Sequence, residues 1–138
     1  MNGSLGKSIL FDTSAILKIV NRYRGFENVE RIISQVENKK INGLISSISL
    51  YEIITVAGIT NSKRAAQTIA FLEEIGFQIL QIDGETAKSA ALRKLKNLHL
   101  NLSTADWIIV QMGISAGVEI VTADKEWAKL TEAKITLV

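Results

Sequence analysis

"SILFDTSAIL", residues 8–17, decides how the chain is read. Three apolar residues, Ile9, Leu10 and Phe11, run into Asp12; Thr13 and Ser14 follow, and a second apolar run begins at Ala15. A short apolar run that stops abruptly reads as a buried strand. The polar step after it reads as the start of a helix. An acid at such a junction has two readings. It caps the helix, its side-chain oxygens accepting backbone N–H groups, or it forms one wall of a metal site.

The same alternation continues outward from this stretch. "ENVERIISQVEN" (27–38) places Val29, Ile32, Ile33 and Val36 at helical spacing. "NGLISS" (42–47) reads as a second strand, followed by a helix from about Ser49 to Ala57. "SKRAAQTIAFLEEI" is a helix ended by Gly76, and "FQILQI" (77–82) is a third strand. "GETAKSAALRKLKNL" is helical, with Ala87, Ala90, Ala91 and Leu95 on one face. "STADWIIVQMGISAG" is apolar nearly all round, which predicts a buried helix. "VEIVT" (118–122), the short helix "KEWAKL" and "KITLV" (134–138) complete the pattern.

Strands that alternate with helices predict an α/β fold, a three-layer α/β/α sandwich on a mainly parallel sheet of about five strands. The 138 residues, 47% hydrophobic and 22% charged, suit one domain spanning 1–138. Ligands in such folds bind beyond the carboxyl ends of the strands. The residues just after each strand are therefore the place to look.

Composition excludes several chemistries. There is no cysteine, so disulfides, zinc–thiolate sites and thiol nucleophiles are ruled out. The single His99 rules out a histidine metal cluster and reads as a surface or helix-end residue. The N-terminus lacks a signal-peptide pattern, and no stretch approaches the roughly 20 apolar residues of a membrane span. A cytoplasmic location with no membrane partner is expected. Net charge is +2, with basic residues in scattered pairs such as Arg22/Arg24. These read as a solvated surface or as a rim for phosphates.

Four acids stand at equivalent junctions. Asp12 follows the first strand, Glu52 opens the helix after the second, Asp106 opens the apolar helix, and Asp124 follows the fourth strand. Each has a capping alternative. Asp12 and Asp124 fit N-caps, Ser49-x-x-Glu52 fits a capping box, and Ser103-x-x-Asp106 resembles one. Helix starts gather along one sheet edge in this architecture, so clustering alone does not choose between the readings; Asp83 after the third strand reads as a cap of the same kind. Two features favour the metal. Asp12 and Asp106 are flanked closely by apolar residues, where carboxylates pointed together are costly to desolvate. Within five residues of Asp12 the only Lys or Arg is Lys7, and Asp106 has none.

These segments carry a resemblance. "ILFDTSAIL", "SISLYEI", "STADWIIVQMGISAG" and "IVTADKEW" resemble, in order and spacing, the four acidic motifs of the PIN domain, and within it the VapC-type toxin ribonucleases. The resemblance covers nearly the whole chain. One departure is the bulk of "WIIVQMGISAG", where the family often runs to small residues. It implies an endoribonuclease using one or two Mg²⁺ or Mn²⁺ ions on Asp12, Glu52, Asp106 and Asp124. Thr13, Ser14 and Thr122 stand close enough in sequence to orient a carboxylate or a water, and Arg22 and Arg24 are candidates for substrate phosphates. The resemblance further implies a cognate antitoxin and a homodimer. The alternatives are a catalytically silent PIN-like binding module, and a PIN nuclease of RNA processing rather than a toxin. A phospho-accepting receiver domain fits less well, because one acid rather than a pair follows the first strand. A plain structural domain with capped helices is the remaining rival.

Overall fold

The computed structural model describes residues 6–138. In chain order the elements are β1 (Ser8–Phe11), α1 (Thr13–Val20), α2 (Phe26–Glu37), β2 (Asn42–Ser46), α3 (Ser47–Gly58), α4 (Ser62–Ile75), β3 (Gln78–Leu80), α5 (Gly84–Leu95), α6 (Thr104–Ala116), β4 (Glu119–Thr122), a short 3-10 helix (Lys125–Lys129) and β5 (Ile135–Leu137). All strand pairs are parallel, in the order β3-β2-β1-β4-β5. The expected α/β sandwich is the observed fold.

Alternation along the strands builds two cores. Ile9 and Phe11 of β1, Ile45 of β2 and Val121 of β4 face α1 to α4, meeting Ile16, Val29, Ile33, Ile53 and Leu72. Leu10, Leu44 and Ile120 face the other way, against Trp107, Ile109, Val110 and Met112 of α6, with Trp127 closing that layer. The β1 strand is thus buried on both faces, as its unbroken apolar run implies. Helix α6 lies close on the sheet because Gly113 offers no Cβ: one built there would collide with the Ile120 side chain.

The strand order puts the switch point between β1 and β4. From β1 the chain runs outward one way through β2 and β3, and β4 and β5 extend the other way. The carboxyl ends of β1 and β4, paired up to Phe11 and Val121, open a crevice there.

Two expectations need correction. Helix α3 begins at Ser47, not near Ser49, with Ser46 as its N-cap accepting from the Ile48 N–H. Ser49 is therefore a buried residue inside the helix, and the Ser49–Glu52 capping box does not form. On α5, only Ala90 of the expected apolar face is buried, and Leu95 is 64% exposed. The helix meets α6 through Ala90 in the core and also through Arg93, whose Nε donates to Oε1 of the buried Gln111 at 2.9 Å while its guanidinium pairs with Glu132. Ala87, Ala90 and Ala91 line one groove with Trp107 and Ile108, so the small-residue face turns toward α6 while Leu95 does not. Among the described residues no helix is long and apolar enough to cross a membrane.

Candidate functional site

Asp12 leaves β1 with its N–H donated to the Val121 carbonyl at 2.9 Å, an extension of the β1–β4 ladder. It is the residue before α1 but its side chain makes no capping hydrogen bond. Its carboxylate is 2% exposed and turned into the crevice floor instead. Both hydroxyls beside it reach the same oxygen. Ser14 Oγ donates to Asp12 Oδ2 at 2.7 Å, and Thr122 Oγ1 donates to it at 2.8 Å. Asp12 Oδ1 is buried with no partner.

The two hydroxyls also hold the loop after β4. Ser14 Oγ accepts from the Ala123 N–H at 2.9 Å, and Thr122 Oγ1 accepts from the Asp124 N–H at 3.1 Å. Asp124 caps the short 3-10 helix, its Oδ1 accepting from the Glu126 N–H at 2.9 Å. The capping reading of Asp124 is thus correct, and it aims a carboxylate at the same crevice edge.

Thr13 makes the link to α3. Its Oγ1 donates to Glu52 Oε1 at 2.6 Å and lies 2.9 Å from the buried Ser49 Oγ. Asp106 sits in the first turn of α6 in the expected capping box: Oδ2 accepts from the Ser103 N–H at 2.9 Å, and Ser103 Oγ accepts from the Asp106 N–H at 3.1 Å.

Electrostatics couple the four acids. Burial pushes the Asp12 carboxyl up to about 6; the Ser14 and Thr122 hydroxyls pull it down, and the charge of Asp106 adds to the rise. Burial likewise raises Asp106, against its Ser103 hydrogen bonds, and the charges of Asp124 and Glu52 push the same way. Asp106 thus feels Asp124 and Glu52 and in turn acts on Asp12. By contrast, the exposed Asp83 is held low by the Thr86 N–H it caps, as expected of an isolated cap.

Among the described residues no three acids close on one point as a ready-made cage. Each of the outer carboxylates is turned to its own partner, Glu52 to Thr13, Asp106 to Ser103 and Asp124 to Glu126. The donor set is all oxygen, with no sulfur or imidazole, which suits a hard divalent cation. Asp12 Oδ1, desolvated and unpartnered, is the atom such an ion would satisfy.

The Arg22 guanidinium lies 5.0 Å from the centre of the Phe26 ring and lines a cavity with Glu30 and Arg64, and Arg24 is exposed in the same turn. Neither bonds to any of the four acids. Ser49 was read from the sequence only as the first residue of a capping box; its position inside α3 against Thr13 depends on a contact 36 residues away in the sequence. His99 is exposed, and Trp127 is fully buried core.

Comparison with known proteins agrees with this architecture. No curated protein matches the chain. Among solved structures, a chain of VapBC2 from Rickettsia felis bound to a DNA fragment from its promoter superposes with a TM-score of 0.77 at 13% identity, covering 94% of this chain and 98% of that one. VapC20 of Mycobacterium tuberculosis, a toxin that cleaves the sarcin-ricin loop, gives 0.74 at 15% identity over 91% of this chain and 98% of its own. DNA-bound VapBC from Salmonella typhimurium gives 0.74 at 19% identity, over 95% and 98%. At these identities the likeness is one of fold. The PIN domain model, however, matches residues 9–133, a span that contains Asp12, Glu52, Asp106 and Asp124. The chain belongs to the PIN domain family.

Proposed function

We propose that the protein is a divalent-metal-dependent endoribonuclease of the VapC type, the toxin of a toxin–antitoxin pair. The observation that carries this reading is the buried, unpartnered Oδ1 of Asp12, whose carboxyl is pushed up by burial and by the charge of Asp106, itself raised by burial and by the charges of Asp124 and Glu52. Asp12, Glu52, Asp106 and Asp124 would hold one or two Mg²⁺ or Mn²⁺ ions. When bound, such an ion lowers the pKa of a coordinated water and offsets the charge that develops on an attacked phosphodiester.

The remaining work falls to the chain itself. Ser14 and Thr122 fix Asp12 Oδ2 and so orient Oδ1 toward the crevice. Thr13 holds Glu52 on the same side, with Ser49 supporting Thr13 from within α3. The Ser103 cap sets Asp106, and the 3-10 turn sets Asp124. Such supporting hydrogen bonds are what position metal-binding carboxylates.

The structural neighbours named as VapBC complexes support an antitoxin partner, and the neighbour that cleaves the sarcin-ricin loop supports loop or single-stranded RNA as substrate. Helix α3, apolar on nearly every side, leaves Tyr51, Val56 and Ile59 exposed at 69%, 47% and 83%. Such a face supports a protein interface, in a homodimer or with the antitoxin. A cytoplasmic site of action goes with an RNA target.

The test is cleavage of an end-labelled loop RNA by the purified protein in Mn²⁺, in Mg²⁺ and in EDTA, beside Asp12→Asn. Metal-dependent cleavage that the variant loses is the expected result. Cleavage that persists in EDTA, or in the folded variant, overturns the reading. Growth arrest on expression, absent with Asp12→Asn, separates a toxin from a processing nuclease.

A further inference from the structure

Asp106 and Asp124 enter the crevice from different segments. Asp106 follows the linker 96–103 between α5 and α6, and Asp124 follows β4. The charge of Asp124 pushes the Asp106 carboxyl up. Like charges repel, so another contact must set the spacing of their segments.

Glu126 makes that contact. It is the second residue of the 3-10 helix, and its backbone N–H donates to Asp124 Oδ1 at 2.9 Å. Its side chain reaches the other way, where Oε2 accepts from the Asn101 N–H at 3.3 Å. Two residues further on, the Ser103 N–H donates to Asp106 Oδ2 at 2.9 Å. Glu126 thus grips Asp124 through its backbone and, through its carboxylate, the linker that caps Asp106. Among the described residues no other hydrogen bond joins residues 96–106 to residues 122–130.

The linker is already seated for this bond. Leu100 and Leu102 are buried in one cluster with Trp127 and Leu130, so the linker packs on the 3-10 helix. Asn101, between the two leucines, is exposed, and its N–H meets Glu126 at the edge of that packing. Lys129 completes the arrangement, its Nζ lying 3.0 and 3.1 Å from the two carboxylate oxygens of Glu126. The ammonium orients the carboxylate and offsets a further negative charge near the crevice. A charged acceptor also makes the stronger bond to a backbone N–H. With its oxygens engaged by Asn101 and Lys129, Glu126 is held as a bracket and not as a further metal ligand.

We infer that Glu126 is a positioning residue for the metal site, which sets the separation of Asp106 and Asp124 by bonding Asn101 with its side chain and Asp124 with its backbone. The inference rests on the metal-dependent reading above and deepens it, adding a residue outside the four acids.

The test is Mn²⁺ binding by calorimetry for the wild type, Glu126→Ala and Glu126→Gln. Amide hydrogen exchange in EDTA and RNA cleavage over a range of Mn²⁺ concentrations run alongside. Glu126→Ala weakens Mn²⁺ binding about tenfold, as loss of support for a metal-binding group does. In EDTA its Asn101 and Ser103 amides exchange faster than in the wild type. Its cleavage falls at limiting Mn²⁺ and returns at saturating Mn²⁺, with KM for RNA unchanged. Glu126→Gln keeps an oxygen for the Asn101 N–H and recovers most of the affinity. An equal loss in Glu126→Gln overturns the inference, because the charge and not the bracket would then be responsible. A loss of cleavage that no Mn²⁺ concentration restores also overturns it, since that is the mark of a damaged fold. If the wild type cleaves RNA while Glu126→Ala binds Mn²⁺ as tightly, the positioning role alone falls. If Mn²⁺ affinity drops in Glu126→Ala and recovers in Glu126→Gln while no RNA is cleaved, the nuclease reading alone falls.

Discussion

Thr13 Oγ1 donates to Glu52 Oε1 at 2.6 Å, so the residue after the β1 aspartate fixes the glutamate of α3. The bond joins elements 39 residues apart and crosses the crevice mouth. Thr13→Val keeps the shape and removes the donor. Loss of a partner that orients a metal-binding group costs on the order of 10–100-fold in affinity or activity. The expected result is weaker Mn²⁺ binding by calorimetry with cleavage reduced to match, and recovery of both in Thr13→Ser. Unchanged Mn²⁺ affinity in Thr13→Val would show that Glu52 needs no such support.

Asp12 sets a pH dependence whose sign is opposite to that of a salt-bridged acid. Its folded-state value of about 6 lies above the ordinary aspartate value of 3.8, so between those limits the folded protein binds more protons than the unfolded chain. Stability therefore falls as pH rises from about 4 to about 6, and the penalty is complete above that. Two pH units correspond to roughly 3 kcal/mol. In EDTA, Asp12→Asn removes the penalty while its side-chain oxygen can still accept from Ser14 and Thr122. Urea denaturation should show the variant more stable than the wild type by about 2–3 kcal/mol at pH 8, with the gap closing toward pH 4. A gap independent of pH would mean that Asp12 is not held protonated by its surroundings.

Cation binding should reverse that penalty. An ion that binds only the folded state raises stability by mass action, about 2.7 kcal/mol at a hundred times its Kd. Differential scanning fluorimetry should show millimolar Mn²⁺ raising the wild-type Tm at pH 7.5. The shift should shrink at pH 5, where the Asp12 proton competes, and disappear in Asp12→Asn. A Tm indifferent to Mn²⁺ would return the acids to a purely capping role.

The acids were legible in the sequence because strand ends are legible. Asp12 and Asp124 follow apolar strands that admit no other assignment, and the caps on Asp106, Asp124 and Asp83 formed as their spacing implied. What was not legible depended on tertiary contacts. A shift of two residues in the start of α3 turned Ser49 from a cap into a buried support for Thr13. On α5 the pattern put Leu95 on one face with Ala87, Ala90 and Ala91, yet Leu95 is exposed while Arg93 turns inward to Gln111. Arginine contributes to helical periodicity as a polar residue, so a hydrogen bond across to α6 cannot be seen from the pattern of α5 alone.

Gly113 tests whether the position of α6, and with it Asp106, is set by contact with the sheet. A Cβ at this position would collide with the Ile120 side chain, which is fully buried and cannot move without disturbing Leu10 and its neighbours. Gly113→Ala gains up to about 1 kcal/mol in helix propensity. Overpacking in a filled core costs about 1–3 kcal/mol. The second effect should prevail, lowering Tm by several degrees and reducing cleavage as α6 is displaced. Ile120→Val removes the outermost methyl that the new Cβ meets. The double variant should therefore be less destabilised than the sum of the two single changes, and part of the lost cleavage should return. Strict additivity would place the cost of Gly113→Ala somewhere other than the α6–β4 contact, and Asp106 would then owe its position to the Ser103 cap rather than to the packing beneath it.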